Sequence, residues 1–133
     1  MTPSPLSAQE LVAAARSAIE EIPAAELARR AAAGAALIDV REPAEFAEGH
    51  IPGATNIPRG VLEFQVEAHP ALACTTAPEL ALRERPLLVY CRTGGRAALA
   101  VESLKRMGFG AVASLAGGIL AWQAEGRALA HEG

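Results

Sequence analysis

The chain has 133 residues, 51% of them hydrophobic but only 4% aromatic, and a formal charge of −3. That length fits one domain with a respectable core, much of it alanine. Its basic residues are dispersed apart from Arg29–Arg30, Arg83/Arg85 and Arg92/Arg96, which leaves no stripe to track nucleic-acid phosphates, and no apolar run reaches the length of a membrane span.

The opening stretch MTPSPLSAQE has neither the basic nor the apolar region of a signal peptide. Two cysteines, Cys74 and Cys91, cannot build a disulfide framework, so a reducing cytoplasm is the expected setting. Ser7 and Glu10 form a capping box that starts a helix running to about Glu21, with Leu11, Val12, Ala15 and Ile19 on one face. This helix reads as an extension, residues 1–21, ahead of a domain over 22–133. Pro23 and Gly34 bracket a second helix, roughly 24–33. Glu20–Glu21 and Arg29–Arg30 read as solvated helix faces.

Ala36 to Val40 is a buried strand that ends beside Asp39 and Arg41. Pro43 opens a helical turn through Phe46. A turn from Gly49 leads to a short strand around 54–57. Residues 59–68 read as helical, with Val61, Leu62 and Val66 facing inward. From His69 to Arg85 the pattern is that of a loop, with one helical turn at 79–83.

The most informative stretch is Leu87 to Met107. Leu87 to Tyr90 is an apolar strand. Cys91, Arg92, Thr93, Gly94, Gly95 and Arg96 then break the pattern, and a helical period resumes at Ala97, Val101 and Leu104. Gly108 ends that helix. A last strand over 111–115, a Gly117-Gly118 turn and a helix that packs Trp122 complete the chain. Strands alternating with helices imply an α/β domain with a parallel sheet covered on both faces. Ligands in such sheets bind beyond the carboxyl ends of the strands, which is where Cys91 falls.

The physical case for Cys91 is electrostatic. A loop entering a helix points unpaired backbone N–H groups at its centre, and two glycines let it curl. Arg92 and Arg96 add positive charge. Such a setting favours the thiolate, the nucleophilic form, and can hold an incoming anion. The bland alternative is an inert buried cysteine closing a strand. No Cys/His spacing suggests a metal, and no cofactor is implied.

Three stretches together resemble the rhodanese family of sulfurtransferases: Asp39 to Pro58 (DVREPAEFAEGHIPGATNIP), Val89 to Arg96 (VYCRTGGR) and Leu115 to Trp122 (LAGGILAW). The resemblance spans about residues 22–129. It implies a rhodanese-like domain with a central, mainly parallel five-stranded sheet and helices on both faces. It also implies that Cys91 takes a sulfane sulfur from a small anionic donor such as thiosulfate and passes it, through a persulfide, to cyanide or a thiol acceptor. By the same resemblance Arg92, Thr93, Gly94, Gly95 and Arg96 form the substrate-binding loop. Their backbone N–H groups cradle the sulfur while the two arginines attract the donor. Ala97 departs from the commonest form, which has a serine or threonine there.

Two other readings stay open. A cysteine phosphatase or arsenate reductase uses a similar loop, but with five residues between cysteine and arginine; here only four separate Cys91 from Arg96. A persulfide carrier or binding module on the same fold is the second. Asp39 and Arg41 either orient the active loop or, the favoured reading, hold the local turn as an ion pair or cap toward Glu45. His50 reads as a hydrogen-bonded structural histidine. His69 and His131 sit in polar segments, Cys74 reads as a passenger thiol, and Trp122 and Phe46 read as core or rim.

Overall fold

A computed structural model describes residues 4–67 and 83–131. His69, Cys74 and most of the helical turn expected at 79–83 lie outside the described residues. The chain runs α1 (Ala8–Ser17), β1 (Glu20–Ile22), α2 (Ala24–Ala32), β2 (Ala36–Asp39), α3 (Pro43–Glu48), β3 (Thr55–Asn56), a 3₁₀ turn (Arg59–Val61), α4 (Leu62–Gln65), β4 (Leu87–Tyr90), α5 (Gly95–Arg106), β5 (Val112–Leu115) and α6 (Gly118–Ala124). The five strands form one sheet in the order β1-β5-β4-β2-β3, every pair parallel. The expected α/β class and five-stranded sheet are therefore present.

Two apolar layers sandwich the sheet. Ile38, Val40, Val89 and Val112 face Ala97, Ala100, Val101 and Leu104 of α5. Leu37, Leu88, Tyr90 and Leu115 face Leu27, Ile119 and Trp122 on the other side. Because β4 is covered on both faces, it reads in sequence as an unbroken apolar run rather than an alternating one. None of the described helices is long and apolar enough to cross a membrane.

The first element differs from the sequence expectation. The capping box is present, with Ser7 Oγ accepting from Glu10 N at 3.1 Å and Glu10 accepting from Ser7 N at 2.9 Å. The helix stops at Ser17, short of Glu21, because Glu20–Ile22 pairs with Ala113–Leu115 as an edge strand. The expected boundary between residues 21 and 22 thus falls inside a strand, and Glu20–Glu21 lies on that strand rather than on a helix. Tertiary pairing here overrides a helical pattern. Nor is the charge at this edge merely solvated: Glu26 accepts from Arg29 and Arg30, and Arg30 reaches on to Glu20 at 2.9 Å. Val61 is a second departure. It is 37% exposed, whereas Leu62 and Val66 are fully buried, because a 3₁₀ turn precedes α4 and rotates Val61 outward.

Candidate active site

β4 ends at Tyr90, and Cys91 sits immediately beyond it, 1% exposed. The next residues curl until Gly94, whose φ of +116° suits glycine, caps α5. That curl directs two backbone N–H groups at the sulfur. Gly94 N donates to Cys91 Sγ at 3.1 Å and Ala97 N donates at 3.4 Å. The second donor lies one residue past the loop expected from sequence. It is a backbone group, so the absent hydroxyl at Ala97 does not remove it. Two fixed donors stabilise negative charge on the sulfur without reorganising.

The loop is braced from behind by the first turn of α6. Ile119 N donates to the Cys91 carbonyl at 2.9 Å and Leu120 N to the Arg92 carbonyl at 3.2 Å. This brace requires Gly118. A Cβ there would stand 2.3 Å from the Arg92 carbonyl oxygen and 2.7 Å from that of Cys91. In the sequence Gly117-Gly118 predicts only a turn; the paired glycines after a buried strand are the one local signal of that close approach.

The two loop arginines are not equivalent. Arg96 is held by Glu45 through two hydrogen bonds, at 2.7 and 3.1 Å. The guanidinium pulls the Glu45 carboxyl down to about 2, and Glu45 in turn raises Arg96. Glu45 also accepts from Glu42 N at 3.0 Å, closing the capping box of α3. Arg92 is exposed and has no ion-pair partner among the described residues. Thr93 is exposed beside it. No local pattern in the sequence pairs Glu45 with Arg96, which is 51 residues away.

Asp39 and Arg41 pair with each other. Arg41 donates to the Asp39 carboxylate at 2.8 Å from its side chain and at 2.9 Å from its backbone, and Nη2 also reaches the Gly49 carbonyl at 2.7 Å. Asn56 Nδ2 donates to the carbonyls of both residues. This arrangement fastens the β2–α3 turn, in keeping with the favoured reading, although it is Arg41 and not Glu45 that Asp39 engages. His50 is buried, stacks on Phe46 at 3.7 Å and places Nδ1 3.1 Å from the Phe46 carbonyl. His131 lies beside the Glu48 carbonyl. Among the described residues no cluster of His, Cys, Asp or Glu could hold a metal ion.

Two cavities flank the loop. One of about 260 Å³ is lined by Arg92, Arg41, Glu45 and Leu120 among others. The second, about 430 Å³, lies between the loop residues Thr93 and Gly95 and the N-terminal helix α1. A third cavity, about 400 Å³, opens at the opposite end of the sheet, beside Arg29, Arg30 and Pro86.

The model of the rhodanese-like domain family matches residues 23–125. A sulfurtransferase of Allochromatium vinosum is 34% identical over 90 residues, covering 68% of this chain and 73% of that protein. The human thiosulfate:glutathione sulfurtransferase is 35% identical over 90 residues, covering 66% of this chain and 78% of the human one. Among solved structures, one from Rhodopseudomonas palustris, described as a protein of unknown function and possible tyrosine phosphatase, matches with a TM-score of 0.77 and 28% identity. The match covers 98% of this chain and all of that one.

Proposed function

The chain belongs to the rhodanese-like domain family, and from that membership we propose that it moves a sulfane sulfur from a donor such as thiosulfate to a thiol or cyanide acceptor through a persulfide on Cys91. The observation that carries this reading is the convergence of the Gly94 and Ala97 N–H groups on Cys91 Sγ. In the first half, the Cys91 thiolate attacks the outer sulfur of thiosulfate. The S–S bond of the donor breaks and sulfite leaves with the electron pair. In the second half, an acceptor thiolate attacks the outer sulfur of the persulfide. The Sγ–S bond breaks, and the electron pair returns to Cys91.

The residues divide this work. The two N–H groups hold the anionic sulfur through both halves. Exposed Arg92 supplies the charge that draws in the donor, with Thr93 and Gly95 forming the rim. Arg96, neutralised by Glu45, fixes the first turn of α5 and contributes less to anion binding than its place in the loop suggests. Asp39 and Arg41 support from the second strand. A single working thiol that must stay reduced fits a cytoplasmic setting.

A phosphatase reading has one observation in its favour, the description given to the R. palustris protein. Against it stands the shorter loop, whose Arg96 points its guanidinium at Glu45 rather than into the cradle. The discriminating experiment is mass spectrometry after thiosulfate treatment, alongside turnover with cyanide. Wild-type protein should gain one sulfur on Cys91 and Cys91→Ser none, with turnover falling by roughly 10³-fold or more, as expected on loss of a covalent nucleophile. An adduct without turnover on any acceptor would identify a carrier. Robust hydrolysis of p-nitrophenyl phosphate with no sulfur adduct would overturn the reading.

A further inference from the structure

The site described so far lies within residues 23–125, but one wall of the larger flanking cavity does not. That wall is α1, contributing Ala8, Gln9, Val12, Ala13 and Arg16, and the facing wall is Thr93 and Gly95. These two loop residues bracket Gly94, the residue whose N–H donates to Cys91 Sγ. The groove therefore borders the sulfur-holding turn, with Thr93 and Gly95 in its wall on either side of Gly94 in the chain.

α1 makes specific approaches to this turn. A Cβ built on Gly95 would meet the Val12 methyl carbon Cγ2 at 3.6 Å, and one built on Gly94 would meet Arg16 Nη2 at 2.9 Å. The Arg16 guanidinium thus lies against the catalytic turn. Among the described residues its ion pair is at the other side of the group, Nε to Glu21 at 3.5 Å, and the side chain is 43% exposed. Small and apolar side chains line most of the wall, with Gln9 and Thr93 as neutral hydrogen-bonding groups. The groove offers an aliphatic body a surface and a negative end a cation.

We infer that this groove is the subsite for the acceptor thiol, that the acceptor carries a carboxylate, and that Arg16 is the residue that selects it. The inference rests on the sulfur-transfer reading above. Charge and shape assign the groove to acceptor rather than donor. A compact dianion such as thiosulfate needs only the amides and Arg92, whereas a thiol on a carbon chain needs an apolar wall and a place for its far end. Gly94 is held to glycine by its φ of +116°, and the Arg16 guanidinium occupies the space that a Cβ there would take, which ties the loop to the helix. The N-terminal segment is then part of the site, supplying acceptor specificity to a loop that already has its nucleophile.

The test compares two thiol acceptors that differ in charge, 3-mercaptopropionate and 2-mercaptoethanol, with thiosulfate as donor. Wild-type protein should prefer the carboxylate-bearing thiol in kcat/KM. In Arg16→Ala that preference should fall roughly tenfold, the scale of one charge-assisted hydrogen bond, and the change should reside in KM. Arg16→Lys should retain part of the preference and Arg16→Glu should reverse it. Equal losses for both thiols would mean that Arg16 only braces the loop, and would overturn the inference, as would no change. A second measurement is independent of sulfur chemistry. 3-(Methylthio)propionate, which cannot accept sulfur, should shift the amide resonances of Thr93 and Gly95 in wild type and not in Arg16→Ala. If Cys91 takes up no sulfur but those shifts are present and depend on Arg16, the sulfur-transfer reading fails while the groove stands. Absent or Arg16-independent shifts sink the groove itself.

Discussion

The two ends of the sheet make a useful comparison, because each has a cavity beside arginines, about 400 Å³ next to Arg29 and Arg30 and about 260 Å³ next to Arg41 and Arg92. At the amino end, Arg29 and Arg30 are tied to Glu26 and Glu20 at 2.6 to 3.2 Å, and the charges cancel within the cluster. At the carboxyl end, Arg96 is cancelled by Glu45, but Arg92 has no acidic partner among the described residues and stands next to a nucleophile under two converging N–H groups. A cavity rimmed by guanidinium groups is thus not in itself an anion site. What separates the ends is uncompensated charge and fixed donors around one reactive atom.

The sharpest way to break the carboxyl end without touching a charge is Gly118→Ala. The new methyl would overlap the Arg92 carbonyl at a φ of +62°, so the backbone behind the loop must shift. Stability should fall by about 3 kcal/mol, roughly 10 °C in Tm, by the combined cost of backbone overlap and a left-handed alanine. Sulfur transfer should fall further than that loss alone explains, since the N–H groups no longer converge. Thermal melts beside kcat at a temperature where the variant is folded check both. A variant of unchanged Tm and rate would show that α6 does not brace the loop.

Next in size, Arg92→Ala should raise the KM for thiosulfate roughly tenfold with little change in kcat, the pattern of lost uniform binding. Arg96→Ala should raise it less, because Glu45 already offsets that charge. Steady-state kinetics with thiosulfate varied would decide, and a larger KM effect at Arg96 would reverse the assignment of the free cation.

That distinction was the part of the site least legible in the sequence. Cys91, the two glycines and both arginines stand together in six residues, and the strand-to-helix handover around them follows from an apolar run giving way to helical spacing. Four of the five strands were legible as well: β2, β4 and β5 are short, doubly buried apolar runs, and β3 follows a glycine turn. What the local pattern could not show was pairing at a distance. The Glu45–Arg96 pair spans 51 residues. The approach of α1 to Gly94 joins segments nearly 80 residues apart, and the register that turns Glu20–Ile22 into a strand depends on β5. Each is fixed by the folded arrangement, after which a helical pattern at the N-terminus yields to sheet pairing.

The Glu45–Arg96 pair gives a pH-dependent version of the comparison. The Glu45 carboxyl is held at about 2, below its ordinary value of 4.5, chiefly by the Arg96 hydrogen bond. A carboxylate depressed on folding contributes stability that is complete above about pH 4.5 and is lost as pH falls toward 2. After allowance for solvent around a pair about one-third exposed, the contribution is on the order of 1 kcal/mol. Chemical denaturation from pH 6 down to pH 2 should show wild type losing that much more stability than Glu45→Gln across this window. Parallel curves would mean that the pair is isoenergetic with its separated partners.

The smallest effect belongs to the amino end and tests whether that end is inert. Glu26→Gln removes the carboxylate that Arg29 and Arg30 share, and leaves Arg30 with Glu20 alone. Glu26 is drawn down to about 2 by the two guanidiniums, yet the cluster faces water, where solvation replaces most of what the ion pairs provide. Its Tm should therefore fall by less than that of Glu45→Gln, and the difference from wild type should shrink as salt is added. Turnover with thiosulfate and cyanide should match wild type, because the cluster lies at the far end of the strands from Cys91. A variant that loses activity while keeping its Tm would show that the two ends communicate through the sheet, and uncompensated charge at the loop would no longer account for the difference between them.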